Sequence, residues 1–126
     1  MKIILVDARN TFVTESWINQ DIQTLLDEFP NRKIIVTNAN DEQLITLGIV
    51  NMPYEVFTLK HNPDKTDPKY FEKMLNNYKL TANDVIYFEH NNEAVQSAQS
   101  LWITTHHYNK DAKDIESLKA FIHNNI

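Results

Sequence analysis

Short apolar runs alternate with helical stripes along the whole chain, and that alternation constrains the fold more than any other feature. Ile3-Ile-Leu-Val6 and Ile34-Ile-Val36 are brief, continuous and rich in β-branched residues. Such runs fit strands buried on both faces, as in the middle of a parallel sheet. Tyr54 to Leu59 and Asp84 to Phe88 read as further strands, and Trp102 to His106 as a weaker fifth. Between them lie stripes of helical period. A helix is expected from about Ser16 to Phe29, with Trp17 or Ile18, Ile22, Leu25, Leu26 and Phe29 on one face. Asn40 and Gln43 make a capping box for a helix running to Leu47, with Gly48 as its C-terminal glycine. Asp67-Pro68 reads as N-cap plus first helical residue, followed by the stripe Tyr70, Phe71, Met74, Leu75 and Tyr78. Further helices are expected from Asn92 to Ser100 and along Ile115, Leu118, Phe121 and Ile122. Strands alternating with helices imply βαβ units, right-handed crossovers and an α/β fold with a parallel sheet.

The 126 residues suffice for one domain, expected to span 1–126, and not for two. A net charge of −5 argues against a general nucleic-acid binder, which carries a basic face. It is compatible with a small phosphorylated ligand held by one or two cations. The absence of cysteine removes disulfides and thiolate metal sites. No run reaches the length of a membrane span, and the N-terminus reads as a strand rather than a signal peptide. The expected location is the cytoplasm. With a single glycine, the abundant asparagines are candidates for left-handed turn positions.

Three of the strands end on polar groups: Asp7, Thr37 and Glu89. A polar loop after the third strand supplies Lys65 just before a helix. In open parallel sheets ligands bind at the carboxyl edge of the strands. These four residues can therefore converge although they are far apart in sequence. A nucleophilic carboxylate, a hydroxyl, a cation and a second carboxylate suit phosphoryl transfer.

The same residues carry a resemblance to a known family. Ile3-Ile-Leu-Val-Asp-Ala-Arg-Asn-Thr-Phe12 is similar to the first motif of the haloacid dehalogenase-like (HAD) superfamily, apolar residues followed by Asp-x-Asp-Gly-Thr-Leu. Ile35-Val-Thr-Asn38 resembles the second, Lys65-Thr-Asp-Pro-Lys-Tyr-Phe71 the third, and Val85-Ile-Tyr-Phe-Glu-His-Asn-Asn-Glu-Ala-Val95 the fourth. The resemblance covers nearly the whole chain. It implies a three-layer, Rossmann-like domain with a five-stranded parallel sheet in the order 3-2-1-4-5. It implies Asp7 as the nucleophile that forms an aspartyl-phosphate, and Thr37, Asn38 and Lys65 as phosphoryl binders. Asp7, Glu89 and the main-chain carbonyl of Arg9 would hold Mg²⁺.

The departures are specific. Arg9 occupies the catalytic position of the family's second Asp, the general acid and base, and Asn10 that of its glycine. Glu89 stands alone where relatives have an acidic pair, because His90 takes the second place. Trp102 stands where relatives commonly have Gly. Asp7, Arg9, Lys65 and Glu89 carry formal charges that sum to zero, so Mg²⁺ binding is expected to be weak or absent. Arg9 is expected to pair with Asp7 or Glu89. The gaps between motifs leave no room for a cap domain, which makes the site open to large phosphorylated substrates or ligands and gives it little selectivity for small ones. Dehalogenase chemistry, which needs an enclosed apolar pocket, ranks below phosphate chemistry.

Other residues read more plainly. His106-His107 is a strand-end pair, because neighbours on a strand face opposite ways. His61 and His123 belong at the surface, and His90 caps the helix that follows it or donates a proton. Trp17 and Trp102 are expected in the core or in helix packing, and Lys110 to Asp114 at a solvated helix start. The functional expectation is a weak, capless HAD-like phosphohydrolase. The alternative is a degenerate binding module of the same fold that engages a ligand or a protein partner. A two-component receiver domain is set aside because the third strand ends on Lys60, not on Asp. No membrane partner is indicated.

Overall fold

The computed structural model describes residues 1–15 and 17–126. Its centre is β1 (Ile3–Asp7), flanked by β4 (Lys33–Thr37) and β6 (Val85–Glu89), both parallel to it. β5 (Glu55–Thr58) extends the sheet beyond β4, and β7 (Thr104–His107) extends it beyond β6, again in parallel. The order β5-β4-β1-β6-β7 is the expected 3-2-1-4-5 arrangement of the five strands.

Side-chain alternation sorts the strands into two cores. Ile4, Val6, Ile35, Ile86 and Phe88 face one cluster, completed by α1 (Gln20–Asp27) and α5 (Ile115–Asn125). The flank of α2 (Asp41–Thr46) packs against this cluster through Leu44. Leu5, Ile34, Val36, Val85 and Tyr87 face the other, completed by α3 (Lys69–Tyr78) and α4 (Asn92–Ser100). Two buried layers on one sheet explain why the central strands read as unbroken apolar runs.

The helix ends follow local chemistry. Asn40 and Gln43 form the expected capping box, and Gly48 takes φ 75° just past the end of α2. Pro68 is the N-cap of α3, one residue later than expected, while the Asp67 carboxylate accepts from the Lys69 N–H. Asn10 and Asn51 occupy left-handed positions, as the glycine shortage implied. Lys110 to Asp114 is exposed, and α5 begins just after it.

Two local expectations are corrected. The first helix begins at Gln20 with Asn19 as its N-cap, not near Ser16, a residue that lies outside those described. The stretch before it forms a small antiparallel hairpin, β2 (Val13–Thr14) and β3 (Trp17–Ile18). Trp17 and Trp102 are not core residues: their exposures are 53% and 86%. Trp102 sits at φ 66° just after α4, where its N–H and that of Ile103 donate to the Gln99 and Ala98 carbonyls. That left-handed closure turns the indole outward. Among the described residues no helix is long and apolar enough to cross a membrane.

Candidate active site

β1, β4 and β6 end side by side, so their last residues meet at the carboxyl edge of the sheet. Asp7 and Glu89 are the final residues of β1 and β6, and both are buried. Thr37 ends β4 and is buried beside them. Lys65 enters from the loop after β5 and is also buried. Asp7, Arg9, Thr37, Asn38, Lys65 and Glu89 all border one cleft.

Lys65 is the bridge. Its Nζ lies 2.6 Å from Asp7 Oδ1 and 2.8 Å from Glu89 Oε1. Its backbone N–H donates to Asn38 Oδ1 at 2.7 Å, which fixes the loop against the end of β4. Asn38 thus positions the lysine, besides bordering the cleft. The carboxylates of Asp7 and Glu89 outweigh burial, which alone would lower the lysine, and hold its ammonium above its ordinary range.

His90 makes a second bridge. Its Nδ1 lies 2.5 Å from Asp7 Oδ2 and 3.3 Å from Glu89 Oε2. Hydrogen bonds to Asp7 and Glu89 push the imidazole up to about 9, against burial, so it is a cation at neutral pH. Burial alone would raise the Asp7 carboxyl, but Lys65 and His90 outweigh it and hold it well below the usual carboxylate range. Asp7 is therefore an ionised carboxylate at the edge of the cleft.

The remaining donors are local. Thr11 Oγ1 donates to Asp7 Oδ2 at 2.6 Å across the turn after β1. Tyr87, two residues before Glu89 on the same face of β6, donates its hydroxyl to Glu89 Oε1. The Asn91 N–H donates to Glu89 Oε2 at 3.0 Å. Thr37 Oγ1 accepts from the Ala39 N–H at 3.3 Å, which leaves its own proton for a ligand. The Tyr70 hydroxyl donates to the Thr37 carbonyl at 2.9 Å and pins the end of β4 from below.

Two expectations at the site are corrected. Arg9 borders the cleft, but among the described residues no carboxylate lies within ion-pair distance of it. Lys65 already neutralises both acids from the buried side, and the half-buried guanidinium keeps its hydration. His90 is not a helix cap. That role belongs to Asn91, whose side chain accepts from the Glu93 and Ala94 N–H groups. Thr11 and Tyr87 went unrecognised in the sequence. The threonine's position four residues after Asp7 was a usable signal, as was the tyrosine's two-residue spacing from Glu89.

The histidines sort themselves. His61 lies at the rim, between Asp64 and Gln43 at 2.7 and 2.5 Å. His107 Nε2 donates to the His90 carbonyl at 2.8 Å, and His106 stacks on Phe121. His123 is exposed and packs by its ring against Phe29.

No protein-family model matches the sequence, and no curated protein matches it. Solved structures do share its architecture. One is the core domain of a Streptococcus pneumoniae protein provisionally named a phosphoglycolate phosphatase: TM-score 0.57, 18% identity, 82% of this chain and 77% of that one covered. Another is an uncharacterised protein from Corynebacterium glutamicum: TM-score 0.61, 16% identity, 96% and 95% covered. The chain shares with them a five-stranded parallel sheet between two layers of helices. At these identities the likeness is one of fold.

That fold makes a divalent cation the group to test against the residues present. Asp7, Glu89 and His90 offer one atom each within 4.8 Å of one another. Ligands that share one ion through bonds of about 2.0–2.2 Å stand about 3 Å or more apart. Asp7 Oδ2 and His90 Nδ1 are closer than that, at hydrogen-bond distance. Every oxygen of both carboxylates already accepts from a protein donor, and two of the donor groups are cations. Mg²⁺ wants a near-octahedral shell of oxygens. The arrangement does not fit it.

Proposed function

We infer that the cleft binds a phosphomonoester and that Asp7 accepts its phosphoryl group. One observation carries this reading: Asp7, Thr37 and Lys65, drawn from separate segments, border one cleft with Asp7 held ionised. In the first step a carboxylate oxygen of Asp7 bonds to phosphorus as the bond from phosphorus to the leaving oxygen breaks. The Thr37 hydroxyl and the ammonium of Lys65 stabilise the equatorial oxygens. In the second step water attacks phosphorus, the bond to Asp7 breaks, and phosphate leaves. Arg9 stands where a carboxylic acid would protonate the leaving group and activate that water. Loss of such a group costs roughly 10²- to 10⁴-fold in rate.

Activated aryl phosphates should therefore turn over far faster than alkyl phosphates, because a nitrophenolate leaves without a proton. Steady-state kinetics on both substrate types, with mass spectrometry for a phosphate adduct on Asp7, test the reading. Asp7→Asn should abolish turnover, and Arg9→Asp should raise alkyl-phosphate turnover selectively. The second reading, a phosphate-binding module without turnover, is favoured by the donors already crowded on Asp7. No turnover and no adduct with the wild type, together with phosphate binding, would establish it over the first.

A further inference from the structure

We propose that His90 takes the place of a divalent cation, so that Asp7 and Glu89 are cross-linked by protein groups and the site works without a metal. The two acids are bridged twice, each time through a different pair of oxygens. Lys65 Nζ joins Asp7 Oδ1 to Glu89 Oε1 at 2.6 and 2.8 Å. His90 Nδ1 joins Asp7 Oδ2 to Glu89 Oε2 at 2.5 and 3.3 Å. The result is a closed ring in which two carboxylates alternate with two nitrogen donors, the Lys65 Nζ and the His90 Nδ1. An ion that entered this ring between Asp7 and Glu89 would have to displace the His90 Nδ1, and it would then face the Lys65 ammonium at close range.

The ring is held from outside as well. His107 donates to the His90 carbonyl, which ties the residue to the end of β7. Asn91 starts α4 through its own side chain, so His90 is not needed there and its ring is free to turn to Asp7. The sequence change behind this is single: a histidine follows Glu89. A carboxylate at position 90 would remove one bridge and add a third anionic oxygen donor beside Asp7 and Glu89.

The test is metal titration, read by calorimetry and by the unfolding midpoint of the whole chain. Wild type should show no saturable binding of millimolar Mg²⁺ or Mn²⁺ and no change of midpoint with EDTA. His90→Asp should gain saturable Mg²⁺ binding and a midpoint that rises with Mg²⁺. His90→Asn, which keeps a donor and adds no carboxylate, should gain neither. Zn²⁺ is included because surface histidines can bind it, and Asp7→Asn distinguishes the two places. Saturable binding of any of these ions to wild type that disappears in Asp7→Asn would overturn the proposal. So would His90→Asp that folds, by circular dichroism, and binds no Mg²⁺. None of these readouts needs turnover, so the proposal and the phosphohydrolase reading can fail independently.

Discussion

Lys65 is the residue on which the site's electrostatics turn. It is buried with two carboxylates, and among the described residues neither acid has another ammonium within reach. Removing one partner of a buried ionic cluster leaves uncompensated charge, which costs about 3–5 kcal/mol. Lys65→Met should therefore lower stability by about that amount in urea unfolding at neutral pH. His90 gives a second prediction at this scale. Its folded pKa is raised to about 9 from 6.5, so the folded state favours the protonated ring. That contribution is fully present below about pH 6.5 and is lost as pH rises through about 9. The stability difference between wild type and His90→Asn should shrink across that window in urea unfolding. A difference that stays constant from pH 6 to pH 10 would contradict it. That Asp7, Thr37, Lys65 and Glu89 would converge on one cleft was legible in the sequence, because strand ends and helix starts are where a parallel sheet gathers its polar groups. Arg9 and His90 were misjudged for one reason. Which of two nearby cations meets a carboxylate depends on the buried path each side chain takes, and spacing does not encode that path.

At the scale of elements, the parts that were legible are those with local chemistry of their own. The Asn40–Gln43 capping box was one, since both partners lie within a single turn. α2 has no fully buried residue, so its cap carries much of its stability. Asn40→Ala should cost about 1 kcal/mol, with faster amide exchange confined to α2. The β2–β3 hairpin was not legible. Two-residue strands have too few positions to show an alternation, and Trp17 imitates a helical stripe. Trp102 gives the complementary case. A non-glycine residue in the left-handed region costs about 1–2 kcal/mol, and an indole that is 86% exposed recovers little of that by burial. Trp102→Gly should raise stability in chemical denaturation, by up to about 1 kcal/mol once the glycine's greater unfolded-state freedom is subtracted.

The whole molecule is what brings the site into being. β1, the end of β4, the Lys65 loop and β6 are separated by long stretches of chain, and only the completed sheet sets them around one cleft. A ligand that needs all four segments binds the folded state and not the unfolded one. It should therefore stabilise the protein by RT ln(1 + [L]/Kd), about 2.7 kcal/mol at a hundredfold excess over Kd. Charge decides how that stabilisation responds to mutation. Asp7 and Glu89 are balanced by Lys65 and His90, and Arg9 stands at the cleft as an additional cation. Asp7→Asn removes one anion from the edge where a phosphate dianion would sit. The variant should lose turnover yet bind inorganic phosphate more tightly than wild type. Its unfolding midpoint should then climb at lower phosphate concentration. Arg9→Ala should shift the midpoint curve the opposite way, because it subtracts a cation without touching the buried ring. Thermal unfolding across a phosphate series, with sulfate as a second anion and constant ionic strength, reads both shifts. If Asp7→Asn weakens phosphate binding, Asp7 assists the ligand rather than repelling it, and the charge balance drawn for the cleft is wrong.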